Sequence, residues 1–428
     1  MRKIDIGILR AARIKFGFVG DFLLDGKPVG SENVVCIEGG RLCFNGRCHD
    51  SLCFVPQTAD GCFVLYDVVI GVGFHWQRKE NQTFKGELRF IVEEGEVRAI
   101  NRLLIEDYLV SVISSEMSAT SSLEFLKAHA IVSRSWLYAQ LLRKERVVQG
   151  TLGWENDEET VRWYAREDHT LFDLCADDHC QRYQGITRAL NPNVARAVEE
   201  TRGIVLKYDG LVCDARFSKC CGGVTERFPA CWESVDYGYL QSFRDCENGA
   251  SLPDLTTEEG ARGWIESVPE SYCSTADKAV LSQILNGYDR ETNDFYRWSV
   301  VYTQVELSAL VARRSGIDFG LVEELQPVER GASGRIVRLR IVGSKRTMVV
   351  GKELEIRHWL SASHLYSSAF VVDMECNPQG ELCFVLKGAG WGHGVGLCQI
   401  GAALMGEKGL PHSVILSHYY PGTVLEQV

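Results

Sequence analysis

Tyr108-Leu-Val-Ser-Val-Ile-Ser-Ser-Glu-Met117, with Ser121-Ser-Leu-Glu-Phe-Leu-Lys-Ala-His-Ala-Ile-Val-Ser-Arg-Ser-Trp136 close behind it, decides how this chain is read. The first part is a mostly apolar run, Tyr108 to Ile113, that leads to a single acid, Glu116. The acid ends a strand-like or helical segment and faces a turn. In the second part Ser121 and Glu124 have capping-box spacing, in which hydroxyl and carboxylate satisfy each other's orphan amides. Leu123, Leu126, Ala130 and Leu137 then form an apolar stripe at helical spacing, which predicts a helix over 122–143. Arg134 flanks that stripe, so it should be partly buried and need a carboxylate partner.

Outward from this centre the pattern is α+β. Residues 1–110 read as strand-rich: Ile4, Ile6 and Ile8 alternate, as do Gly61–Tyr66 and Gly86–Val92, and a hairpin is expected to turn at Glu93-Glu94-Gly95. Residues 20–80 carry five cysteines and read as an insertion. The stretch 150–190 is polar and irregular, and 191–246 returns to strands and turns, with Gly203–Asp209 ending at an Asp-Gly turn. A charged helical insertion is expected over 250–300, strands at 300–306, 336–342 and 347–350, and a last helix from Pro411.

Composition removes some functions. A chain of 428 residues with net charge −11 could offer a polyanion a basic surface only locally, so nucleic acid is not expected as a partner. No stretch approaches the ~20 apolar residues of a membrane span. The start, Met1-Arg-Lys-Ile-Asp-Ile-Gly-Ile-Leu-Arg10, is broken by Asp5 and Arg10 and reads as a first strand rather than a signal peptide. Sixteen dispersed cysteines favour buried thiols or a metal over a disulfide scaffold.

Three sets of residues carry chemistry. An acid beside an apolar wall has its charged form disfavoured, as a general acid requires, although position alone reads Glu116 as an exposed turn residue and Arg134 as a surface ion pair. His169, Cys175, His179 and Cys180 fall within twelve residues and form a four-coordinate, closed set suited to structural Zn²⁺; spacing alone leaves a loop with incidental His and Cys open. Gly390-Trp-Gly-His-Gly-Val-Gly396 lacks the Lys-Ser/Thr of a phosphate loop. Its His393 could bind sugar, support the Glu116 pocket or be structural, and Gln399 is a further candidate.

The run Phe84–Phe90, Val97–Leu109, Ser115-Glu-Met117 and Leu123–Trp136 resembles the core of the stage II sporulation protein D family, which includes the amidase enhancers. Two later blocks agree in order: Asp214-Ala-Arg-Phe-Ser-Lys-Cys-Cys-Gly-Gly-Val-Thr-Glu226, and Gly388–Ala402 with the tail His418-Tyr-Tyr-Pro-Gly-Thr423. The resemblance spans 84–246 and 300–428 as a catalytic core. It implies a lytic transglycosylase that cuts the MurNAc–GlcNAc bond of peptidoglycan glycan strands with Glu116 as acid and then base. It maps Arg134 to the family arginine that orients the acid or holds a glycan carboxylate or acetamide, makes Lys219 a glycan contact, and adds zinc in the 150–190 loop. Cys220-Cys221 stands where relatives usually carry small hydroxyl residues. The other implied reading is a non-catalytic, glycan-binding amidase enhancer with a cell-wall amidase as partner. Either implies an extracytoplasmic location. A zinc hydrolase would need an open metal position, which a four-ligand set does not leave.

Overall fold

The alternation at Ile4, Ile6 and Ile8 becomes strand Lys3–Ala11 in the computed structural model, with Ile4 and Ile6 buried. The structure describes residues 2–71, 77–145, 153–164, 169–177, 179–189, 191–247, 251–286, 294–363 and 365–428. The chain is α+β and forms two units: Met1–Leu141 with Arg166–Ile204 and Gln427–Val428, and Leu142–Ala165 with Val205–Glu426.

In the first unit Glu87–Glu93 pairs antiparallel with Glu96–Leu104, as the hairpin pattern requires. The chain turns through Glu94 and Gly95 at φ 51° and 79°, the two left-handed residues of a tight hairpin turn. These strands lie inside a seven-stranded sheet, flanked by Lys3–Ala11 and Ser51–Pro56. A six-stranded sheet holds Arg13–Val19 between Cys62–Ile70 and Glu32–Glu38.

Residues 20–80, expected as an insertion, are built into these two sheets. They supply strands to both sheets: Phe22–Leu24 and Ser51–Pro56 to one, Glu32–Glu38, Arg41–Phe44, Arg47–His49 and Cys62–Ile70 to the other. The reason is aromatic packing. Phe16 of the six-stranded sheet meets Phe54 and Phe90 of the seven-stranded sheet at ring centroids of 5.3 and 4.9 Å, and all three are fully buried. Each such ring contributes about 2 kcal/mol by leaving water. The sixteen cysteines are all free thiols.

The strand Glu96–Leu104 runs directly into α1 (Ile105–Glu116), so Glu116 is the last helical residue. Helix α2 (Leu123–Glu145) follows, and its cap is Ser122 rather than Ser121: the Ser122 Oγ accepts the Phe125 amide at 3.4 Å. A backbone bond from the Ser121 amide to the Ser118 carbonyl draws Ser121 into the preceding turn. Helix α3 (Pro192–Glu200) packs against α1.

The stretch 150–190, expected as one loop, is divided. Residues 150–152, 165–168, 178 and 190 lie outside the described residues. Gly153–Glu155 and Glu159–Arg162 join a five-stranded sheet of the second unit, whereas 169–189 belongs to the first. In 250–300 there are helices Glu258–Glu266 and Lys278–Ile284; residues 287–293 lie outside the description. Strand Arg297–Thr303 stops short of 306 because Thr303 and Glu306 form a reciprocal capping box that starts helix Gln304–Ser315. The second unit's core gathers Trp298, Phe319, Leu339, Trp359 and Phe384 between its sheets and helices. The last helix, His412–Tyr419, follows Pro411 as expected.

Candidate functional site

Helix α1 is buried along most of its length, through Tyr108, Leu109, Val112 and Ile113, and presents Glu116 at its C-terminal end. Glu116 keeps 8% of its surface exposed. Its Oε1 accepts the Arg182 backbone amide at 2.9 Å. One residue earlier, the Ser115 Oγ accepts the Gln184 amide at 3.3 Å. Residues 181–184 thus lie along the end of α1.

That segment is itself pinned from three sides. The Tyr108 hydroxyl donates to Gln181 Oε1 at 3.0 Å, the Tyr183 hydroxyl donates to Asn101 Oδ1 at 2.5 Å, and the Tyr108 and Tyr183 rings stack at 5.2 Å. The Ile186 amide then bonds the Thr83 carbonyl at 2.8 Å. Burial pushes both tyrosine hydroxyls well above their usual range, which keeps them protonated donors. None of these contacts was legible beforehand, because 181–186 has no periodicity.

Arg134 is fully buried on α2, and its partner is Glu106. Nη2 and Nε reach the two Glu106 oxygens at 2.6 and 3.1 Å, and Nη1 reaches the Ile204 carbonyl at 3.0 Å. The bidentate pair ties α2 to the first turn of α1. The expected carboxylate partner exists, at the end of α1 opposite Glu116.

His169, Cys175, His179 and Cys180 come together, with their donor atoms all within 4.8 Å of one another. Cys180 Sγ lies 3.6 Å from His169 Nε2 and 3.6 Å from His179 Nδ1, and Cys175 Sγ lies 3.8 Å from His179 Nδ1. A tetrahedral ion with bonds of about 2.3 Å to sulfur and 2.0 Å to nitrogen has sulfur–nitrogen edges of about 3.6 Å, so the set fits a metal. Cys180 and both imidazoles hold the Cys175 thiol far below its usual range. The set is fastened to the sheet by parallel pairing of Leu174–Cys175 with Ile6 and Gly7, and Phe172 stacks on His169 at 4.6 Å.

In the second unit the two distant glycine-containing blocks meet. Phe217–Ser218 pairs parallel with Leu397–Cys398, and isolated bridges join Cys220 to Trp391 and Glu226 to Val395. Half-buried Lys219 accepts the Ile400 amide on its carbonyl at 3.1 Å, and Gln399 is buried at the start of helix Gln399–Glu407. His393 Nδ1 accepts the Val395 amide at 3.0 Å, and a further hydrogen bond reaches the Phe217 backbone. Desolvation, then Arg216, Arg335 and Arg357, hold this imidazole well below its usual range, so it is neutral and braces the loop.

Two residues that organise these blocks gave no sequence signal. Arg335, fully buried, donates to the Cys221 carbonyl of one block and the Gly392 carbonyl of the other at 3.0–3.3 Å. Gly394, at φ 74°, leaves the space its guanidinium occupies. Glu226 is fully buried and accepts from the Arg227, Ala332 and Ser333 amides and the Ser333 hydroxyl at 2.7–3.1 Å. No helix among the described residues is long and apolar enough to cross a membrane.

Residues 93–208 match the family described as stage II sporulation protein, and residues 226–396 match a domain of unknown function. The amidase enhancer of Bacillus subtilis (strain 168) is 28% identical over 331 residues, 74% of this chain and 40% of that protein. Stage II sporulation protein D of the same organism is 21% identical over 330 residues, 77% of this chain and 76% of its own length. An uncharacterised protein from Brachyspira hyodysenteriae is 25% identical over 341 residues, 79% and 71% of the two chains. The chain thus spans two fifths of the amidase enhancer it matches.

Proposed function

Because the chain belongs to the stage II sporulation protein D and amidase enhancer family, carrying that domain at residues 93–208, we propose that it is a lytic transglycosylase acting on the MurNAc–GlcNAc bond of peptidoglycan. The observation that carries this reading is Glu116: a nearly buried carboxyl at a helix end, one oxygen fixed by a backbone amide.

Glu116 gives its proton to the bridging oxygen as the bond from the MurNAc anomeric carbon breaks, and GlcNAc leaves as the alcohol. The 6-hydroxyl of the same MurNAc then closes on the anomeric carbon and returns its proton to the Glu116 carboxylate. Water is not consumed, and the product ends in a 1,6-anhydro ring. Arg134 acts through Glu106, holding α1 and α2 so that Glu116 keeps its place, and is a positioning residue. Lys219, His393 and Gln399 remain proposed glycan-side residues; for His393 the support favours bracing over direct contact.

His169, Cys175, His179 and Cys180 would hold Zn²⁺, which supplies a cross-link rather than an open coordination position. Its part is to order the loop that carries Arg182 to Glu116. The site of action is extracytoplasmic, where peptidoglycan lies.

A second reading, a non-catalytic enhancer of a cell-wall amidase, is favoured by the amidase enhancer relative. Purified protein incubated with peptide-stripped glycan strands separates the two: mass spectrometry should find anhydro-ended fragments. No such fragments, together with faster release of stem peptides from intact peptidoglycan by an added amidase, would establish the enhancer instead.

A further inference from the structure

A second sulfur-rich cluster lies in the other unit, where the two glycine-containing blocks meet. Cys221, Cys273 and Cys398 are 3%, 1% and 1% exposed, and Asp245 among them is wholly buried. Their four donor atoms lie within 4.8 Å of one another. Cys221 Sγ is 3.5 Å from Cys273 Sγ and 3.2 Å from Asp245 Oδ2. We propose that these four residues form a second, closed metal site for Zn²⁺.

The donor set argues for a metal over its alternatives. His418 and Tyr419 satisfy one oxygen of the buried Asp245 carboxylate, and a cation would join the other oxygen to all three thiols at once. A disulfide would consume two thiols at about 2.05 Å and leave a thiol and the carboxylate facing each other. A tetrahedral ion uses all four groups at once, with sulfur–sulfur edges of about 3.8 Å. Thiolates select zinc among the common divalent ions, and a four-iron cluster would hold its thiolates farther apart than these. Binding replaces the three thiol protons, which pass to solvent, leaving a zinc with three thiolates and one carboxylate.

The surroundings are those of a built site. Asp245 turns Oδ2 to the thiols, while Oδ1 accepts from His418 Nε2 at 3.0 Å and the Tyr419 hydroxyl at 2.9 Å, which fixes the carboxylate as second partners of metal ligands do. The Cys221 amide points at Cys398 Sγ at 3.2 Å, and the Ser271 hydroxyl lies 3.5 Å from Cys273 Sγ. Arg297, which donates to the Gly222 carbonyl at 3.1 Å, sits near enough to interact with Cys273 and offset the excess negative charge. A Cβ on Gly401 would come within 2.7 Å of Asp245 Oδ2 and 3.4 Å of Cys398 Sγ, so the space there belongs to the cluster. Cys220 borders Cys273 and Cys398 as well, but lies outside the set of four.

The ligands come from four separate segments: the Gly222-Gly223 block, the Asp245 turn, the 250–300 region and the Gly-rich C-terminal block. One ion would bolt all four together. It also gives Cys221 a purpose at a position where a hydroxyl residue was expected. The proposal stands apart from the catalytic reading and from the His169 set.

The test is metal counting on full-length protein purified under reducing conditions without chelator. Wild type should carry two zinc per chain, Cys175→Ser/Cys180→Ser one, and Cys273→Ser/Cys398→Ser one. X-ray absorption on the Cys175→Ser/Cys180→Ser variant should show three sulfur neighbours and one light atom around its remaining zinc; this needs no change at the new site. Cys220→Ala should keep both ions. A folded Cys175→Ser/Cys180→Ser variant holding no zinc overturns the proposal. So does a disulfide found between Cys221 and Cys273 in protein denatured without reductant, or loss of one zinc from Cys220→Ala.

Discussion

Arg134 and Glu106 carry a cost that neither bears alone. Arg134 is fully buried and its three nitrogen positions all donate, so truncating it takes away the cation of half-buried Glu106 and leaves it the Gly203 amide at 3.4 Å. Arg134→Met should destabilise the protein by about 3 kcal/mol, read from the urea midpoint. Adding Glu106→Leu should recover part of that loss, because a buried pair replaced whole is far cheaper than one broken. A double variant whose loss equals the sum of the singles would show that the pair is not coupled. The need for a carboxylate was readable from where Arg134 lies on the α2 stripe. Which carboxylate was not, since Glu106 and Glu116 both lie on α1 and only the crossing of the two helices decides between them.

At the scale of elements, the hairpin at Glu94-Gly95, strand Lys3–Ala11, α2 and the helix after Pro411 were legible because local spacing fixes them. The His169, Cys175, His179 and Cys180 set was legible because its members are close in sequence. The contacts of 181–186, Arg335 and Glu226 were not, because each depends on segments far apart in sequence. If His169, Cys175, His179 and Cys180 hold the proposed zinc, chelation should free the 169–186 segment. We expect limited proteolysis between 169 and 186 to speed up at least tenfold in chelator, and to be restored by added zinc; an unchanged cleavage rate would separate the metal from the segment's order. In the Gly-rich loop, neutral His393 has its folded pKa depressed below an unfolded value of about 6.5. The unfolded chain therefore binds the extra proton, and this contribution is full above about pH 6.5 and is lost as pH falls below it. Wild type should lose more stability than His393→Gln between pH 7.5 and 5.5. Equal losses would mean that the imidazole titrates alike in both states. Gly394→Ala forces a side chain onto Arg335 at a positive φ and should cost about 2 kcal/mol, visible as a lowered melting temperature.

For the molecule as a whole, each unit has its own core and a four-residue sulfur-containing cluster, one beside Glu116's supporting segment and one that takes two of its residues from the glycine blocks. The proposed cleavage nevertheless rests on one carboxyl group. The direct measurement is the yield of anhydro-ended fragments from peptide-stripped glycan strands, wild type against Glu116→Gln, with zinc content, melting temperature and glycan-strand binding matched between the two. If Glu116 is the acid and then the base, wild type forms the fragments and the amide falls by at least about 100-fold while still binding the strands. Equal yields from both proteins, or none from either, would contradict that assignment.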